Sequence, residues 1–383
     1  MADGTGPLTA QGANGGRPGS RRRPLYGALD LGTNNCRLLV AEPARRGFRI
    51  VDAFSRIVRL GEGLSRTGAL SDAAQARALD ALSACAEKIN RRNVERVRCI
   101  ATQACRVASN GADFLNAVHQ RTGLQFEIIS PREEARLAVA GCAQLIDPAA
   151  KAALVVDIGG GSTELSWLSG GGPRWGARHI AAWTSLPFGV VTLAERFPEP
   201  ETGDLTDWYR AMVDAVRAEV AAVDHARRLA PVFAAGEAHI VGTSGAVTSL
   251  AGVHLGLARY SRAQVDGLWI SRRHVGDAIA RLAGKDRAAR AAEPCIGVDR
   301  ADLVLAGAAI LEAILAEWPS DRLRVADRGL REGVLLSMMH RQRARTMQHG
   351  QGAARCPKIR RPDAAGSRRC RPSPASCAPS PSS

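Results

Sequence analysis

No stretch of this 383-residue sequence approaches the roughly 18 uncharged apolar residues that a membrane-spanning helix requires. The opening MADGTGPLTAQGANGGRPGSRRRP likewise contains no apolar segment that could act as a secretory signal. A soluble, cytoplasmic protein with no membrane partner is therefore expected. Cysteine supplies no framework either. The nine residues Cys36, Cys85, Cys99, Cys105, Cys142, Cys295, Cys356, Cys370 and Cys377 are odd in number, scattered and never spaced as CxxC. Neither a disulfide scaffold nor a structural zinc site is indicated, and the thiols are read as reduced. The net charge of +15 is concentrated outside the central part of the chain, because twelve of the fifteen charges fall in residues 1–24 and 341–383. Those segments are rich in Gly, Pro, Ser and Arg and lack apolar periodicity, the composition of disordered, solvated tails. No specific nucleic-acid partner is expected from them.

What is present reads as a globular core of about two domains, with 45% hydrophobic residues. Aliphatic runs predict strands at residues 26–31 (YGALDL), 36–42 (CRLLVAE) and 153–158 (ALVVDI). Ser71 and Asp72 make an N-cap for a helix that carries Leu79, Leu82, Ala86 and Ile89 on one face. RVRCIATQACR (96–106) reads as a strand running into a loop, and PREEARLAVAGCAQLI (131–146) as a helix opened by Pro131. A mostly apolar helix over 302–318, a short strand in RLRVAD and a last helix in GLREGVLLSMMH complete an α/β pattern.

An internal repeat carries the chemistry. ALDLGTNNCRLLV aligns with VVDIGGGSTELSW so that Asp30 falls on Asp157 and Gly32 on Gly159, 127 residues apart. Each half of the molecule thus holds one copy. An Asp at a strand end followed by Gly permits a tight reversal whose exposed amides can converge on a phosphate oxygen. Thr33, Asn34, Asn35, Ser162 and Thr163 add neutral donors suited to the same anion. The carboxylates would repel phosphate directly, which implies a bridging divalent cation, and magnesium suits few carboxylates beside phosphate. A Walker A loop is excluded because no Lys precedes Ser162, and a dinucleotide fingerprint because no third Gly opens a helix.

The pair of turns resembles the phosphate motifs of the actin-like ATPase superfamily. With IATQACRVASNG, EEARLAVAG, SLPFGVVTLAERF, IVGTSGAVTSLAG, RADLVLAGAAILEAI and VADRGLREGVL following in order, the chain resembles the exopolyphosphatase and guanosine pentaphosphate phosphohydrolase family over residues 26–336. The resemblance implies two actin-like (ribonuclease H-like) lobes, residues 25–146 and 147–340, with an interlobe cleft, in a short member without the longer relatives' C-terminal helical domain. It also implies magnesium-dependent attack of water on the terminal phosphate of inorganic polyphosphate or pppGpp. Residue by residue, Glu134 matches the catalytic base, while Asp157 and Glu164 match the acids expected to hold magnesium and orient water. Asp30 matches the acid of the first motif and joins the metal set. Gly32, Thr33, Asn34 and Asn35 match the first phosphate loop, and Gly159, Gly160, Gly161, Ser162 and Thr163 the second. Arg37 and Arg106 match arginines expected to grip the phosphate chain, with Arg300 a weaker candidate. Glu133 is left as a dipole-stabilising surface residue, DRGLREG as a structural closure, and Gly242 and Gly245 as either a helix-terminal anion site or packing. A homodimer is common in the family. An actin-like ATPase or kinase, and a non-catalytic polyphosphate or nucleotide sensor, remain as rival readings.

Overall fold

Both faces of the first predicted strand are buried, which accounts for its unbroken aliphatic run. In the computed structural model, β1 (Tyr26–Leu31) turns Leu29 and Leu31 into one core and Tyr26 and Ala28 into another. The structure describes residues 23–352 except residues 46, 173–174 and 202–204, with side chains described to residue 342. The tail over residues 1–22 and the segment 353–383 lie outside the described residues. The last helix, Leu330–Gly352, runs past residue 340, where the C-terminal tail is expected to begin.

The first sheet adds β2 (Asn35–Pro43), β3 (Phe48–Ile57), β4 (Arg96–Ala101) and β5 (Phe126–Ile128) in the order β3-β2-β1-β4-β5. β1, β2 and β3 are antiparallel neighbours, while β4 and β5 run parallel to β1. The second sheet holds β6 (Ala152–Ile158), β7 (Thr163–Ser169), β8 (Ile180–Leu186), β9 (Ala238–Thr243), β10 (Trp269–Ile270) and β11 (Leu323–Ala326). Its order is β10-β11-β9-β6-β7-β8. β6, β7 and β8 are antiparallel, and β9 and β11 parallel to β6, so the first sheet's plan recurs with β10 added at an edge. The repeat in sequence is therefore a repeat in topology, and the fold is the two-lobed actin-like one.

Two helices cross between the lobes. Pro131–Cys142 follows β5 of the first sheet, turns Leu137 toward the β1, β2 and β4 side chains, and packs Val139 and Cys142 against the second sheet. The Leu330–Gly352 helix follows β11 of the second sheet yet buries Val334, Leu335 and Met339 against the first. The crossing is backbone to backbone. A Cβ on Gly141 would stand 1.9 Å from the Gly329 carbonyl oxygen, and one on Gly333 would stand 2.0 Å from that of Leu137. DRGLREG thus does close the structure. Two local expectations differ. Residues Gln103–Val107 form a short helix rather than a loop, and the helix opened by Pro131 ends at Cys142 with a 3₁₀ turn over Ala143–Leu145. No helix among the described residues is long and apolar enough to cross a membrane.

Candidate active site

A cleft of about 350 Å³ gathers the ends of the two motif strands with the first turns of both crossing helices. In antiparallel pairing, residues directly opposite share a sheet face. Arg37 stands opposite Asp30 on β2, and Glu164 stands opposite Asp157 on β7. Two turns alike in sequence therefore differ in charge: one pairs acid with base, the other acid with acid.

The three successive glycines answer first to packing. A Cβ on Gly160 would lie 2.9 Å from the Asn34 amide nitrogen and from the Thr33 Cβ, and one on Gly161 would lie 1.8 Å from the Gln103 Oε1 and 2.8 Å from the Thr33 Oγ1. Behind them, a Cβ on Gly189 would meet the Gly160 carbonyl carbon at 2.4 Å. The bare backbone thus lets the second turn lie directly on the first and on the Gly189 turn.

Of the residues singled out in sequence, Asp30, Gly32, Asn34, Asn35, Arg37, Glu134, Asp157, Gly159, Gly160, Gly161 and Ser162 line the cleft. Four others stand behind that lining. Thr33 is buried under the glycines. The Thr163 hydroxyl is committed to the Phe188 carbonyl at 2.7 Å, so it is not presented as a donor to an anion. Glu164 is buried, its carboxylate accepting from Ser162 at 2.7 Å and Ser185 at 2.9 Å. Arg106 donates to the Ile129 carbonyl at 2.7 Å and to Glu134 at 3.3 Å. Both bonds come from Nη1, and Arg106 is not among the residues that line the cleft.

Glu134 is held at the start of its helix by local chemistry. Ser130 caps the helix, its hydroxyl accepting from the Glu133 amide, and Pro131 fixes the first turn. Glu133 turns outward to Arg136 and Arg98, as its surface role requires. Burial, reinforced by Glu164, holds the Glu134 carboxyl well above the usual carboxylate range against the pull of Arg106. Burial, with Glu164 and Asp30 beside it, pushes Asp157 up to about 7. Burial also raises Asp30, opposed by Arg37 and Arg331. One Asp30 oxygen, Oδ1, is buried without a hydrogen-bond partner, which suits a cation ligand. Among the described residues, however, no group of three or more His, Cys, Asp and Glu stands close enough to hold a metal ion, so Asp30, Asp157 and Glu164 do not form a ready-made three-carboxylate cage.

The far wall comes from Thr243, Ser244 and Gly245 ahead of the Gly245–His254 helix, with Tyr260, Arg300 and Arg331. Here Ser244, not a glycine, holds the left-handed backbone (φ 96°), and its buried hydroxyl has no partner. At Gly242 an added Cβ would instead lie 3.0 Å from the Val247 Cγ1, so that glycine serves packing. Sequence reasoning missed Tyr260, Ser244 and Arg331. The last lies inside the DRGLREG segment that was read as structural, and nothing in its local spacing signals a cleft residue.

The pattern of the Ppx/GppA phosphatase family matches residues 39–342. The chain belongs to that family. Exopolyphosphatase 2 of Mycobacterium tuberculosis is 31% identical over 328 residues, covering 81% of this chain and 97% of that protein. A crystal structure of the Aquifex aeolicus Ppx/GppA family member is 28% identical and covers 83% of this chain and 98% of its own, with a TM-score of 0.67. An exopolyphosphatase from Cytophaga hutchinsonii, 24% identical, shares the fold at a TM-score of 0.70 over 82% of this chain and 98% of its own.

Proposed function

We propose that the chain is a phosphoanhydride hydrolase that releases the terminal phosphate of inorganic polyphosphate, with the 5′-terminal phosphate of pppGpp as the alternative substrate of the same chemistry. The observation that carries this reading is the convergence of Glu134, two acid-bearing glycine turns and the arginines Arg37, Arg300 and Arg331 on one cleft. Hydrolysis of an anhydride between phosphates is mostly positioning and charge neutralisation, together with an acceptor for the water's proton. The Mycobacterium relative's name supports polyphosphate as the substrate class.

Glu134 is the proton acceptor in this reading. Its raised proton affinity matches the task, since a base works best with a pKa near the operating pH. Arg106 positions that carboxylate through Nη1. The Gly159–Ser162 turn and the Gly32–Asn35 turn hold the terminal phosphate from the two lobes, and Arg37 offsets its charge. Magnesium fits Asp30 and Asp157 as ligands, with Ser162 and Ser185 fixing Glu164 behind them. An ion that retains most of its waters needs only one or two carboxylates beside phosphate oxygens. Bound there, it would neutralise charge on the phosphate being released.

The test is Glu134→Gln. Its kcat on polyphosphate is expected to fall about 10²–10⁴-fold, the usual contribution of a positioned base, while polyphosphate binding persists. A variant that keeps wild-type turnover would remove Glu134 from the role.

A further inference from the structure

Arg331, like Arg37, is an arginine of the cleft with no ion pair within bonding distance, while Arg300 there reaches only the Ser249 hydroxyl at 3.4 Å. Among the described residues the Arg331 guanidinium makes no ion pair or hydrogen bond within bonding distance, although Asp30, Glu332, Asp327 and Arg37 all lie near enough to act on its charge. Of the acids around it, Asp30 makes no bond to it and keeps its Oδ1 unpartnered, and the other two are engaged elsewhere. Glu332 accepts from Arg262 at 3.1 Å and from the Gly329 amide at 2.9 Å, and Asp327 accepts from the Tyr260 hydroxyl at 2.7 Å. The neighbouring arginines are likewise anchored, Arg262 to the Asp327 carbonyl and Glu332, and Arg328 to Asp266. A guanidinium at a cleft wall that no carboxylate holds keeps its donors free, so it marks a place where an anion is received.

Its position adds a reason. Arg331 lies in the first turn of the Leu330–Gly352 helix, and Glu134 in the first turn of the Pro131–Cys142 helix. Because the two helices are locked together at Gly141 and Gly333, the two side chains are mounted on one rigid cross. Arg37, on the first sheet, faces the same Asp30.

We infer that Arg331 is a further substrate-contacting residue, which with Arg37 receives phosphoanhydride oxygens and holds them in fixed relation to Glu134. This deepens the hydrolase reading and rests on it. Two cations close together favour a ligand with several negative charges over inorganic phosphate, and the planar fork of a guanidinium can hold two phosphate oxygens where an ammonium cannot.

The test uses tripolyphosphate binding to the full chain by calorimetry, together with melting of the ligand-free protein. Wild type is compared with Arg331→Gln and Arg331→Lys. Arg331→Gln is expected to bind about tenfold to a hundredfold more weakly, the usual effect of losing a charge-assisted contact, with a ligand-free melting temperature no lower than wild type because no internal pair is broken. Arg331→Lys keeps charge and stem but loses the fork, and is expected to fall between. Wild-type affinity in Arg331→Gln overturns the inference while leaving the hydrolase reading intact. If the glutamine variant fails to fold, wild-type affinity in Arg331→Lys overturns it instead. A wild type that neither binds tripolyphosphate nor releases phosphate from it overturns both readings.

Discussion

Across β1 and β2 the acid Asp30 meets Arg37, and across β6 and β7 the acid Asp157 meets Glu164. That single difference sets the charge of the turns, and in the proposed hydrolase the first would offset phosphate charge while the second concentrates negative charge for a cation to relieve. Away from the cleft, His239 makes a residue-scale prediction. It is fully buried on β9, its Nε2 accepts from the Asp147 amide at 3.0 Å, and burial lowers it to about 4. The unfolded chain takes up a proton near the ordinary histidine value of about 6.5, the native state only near 4, so stability is lost as pH falls through that window. The loss reaches roughly 3 kcal/mol at the acid end. Urea midpoints of wild type and His239→Gln between pH 7 and 4.5 check it: the wild type should fall more steeply, and parallel curves would contradict the assignment.

The crossing helices are where the elements and the site meet. Gly333→Ala would place a methyl 2.0 Å from the Leu137 carbonyl oxygen, on backbone that cannot move aside cheaply. A destabilisation of about 3 kcal/mol is expected, at the upper end of overpacking costs, and the displaced helix starts should also lower turnover. Denaturant midpoints and steady-state rates check both. At this scale much was legible. β1 and its Asp30 end, the Ser71 cap of the Asp72–Arg92 helix and the Pro131 start of the Glu134 helix all follow from local chemistry, and the repeat located both turns. The rest depends on partners remote in sequence. β3 alternates weakly because it is a half-exposed edge, so it carried no clear signal. Gln103–Val107 has only 5 residues, too few for a periodic pattern. Arg106 was legible as an important arginine but not its partner, since Glu134 is brought to it by the fold of the helix 28 residues further on. The glycines suggested phosphate approach, while their tightest neighbours are the opposing turn, a contact no local reading supplies.

Over the whole molecule, the lobes are joined by more than the helix cross. Arg59 of the first lobe donates to Asp302 at 2.7 and 3.1 Å and to the Asp299 carbonyl at 3.2 Å, and the Gly63 amide donates to Glu195 at 2.7 Å. These partly exposed bonds form a latch between the lobes, worth about 1 kcal/mol for the ion pair. Arg59→Ala should leave global unfolding within about that margin while increasing amide exchange in both motif turns; unchanged exchange there would show that the latch does not govern the cleft. The cleft itself is assembled from both ends of the described residues, β1 near one end and the Leu330 helix at the other, so its chemistry belongs to the molecule rather than to either lobe. The most direct measurement of that chemistry is phosphate release by the wild type from long-chain polyphosphate, pppGpp and ATP in parallel, each with magnesium and with EDTA. Magnesium-dependent release from polyphosphate or pppGpp, with little from ATP, is the predicted result. Binding of polyphosphate or pppGpp without release, or turnover of ATP alone, would contradict the hydrolase account.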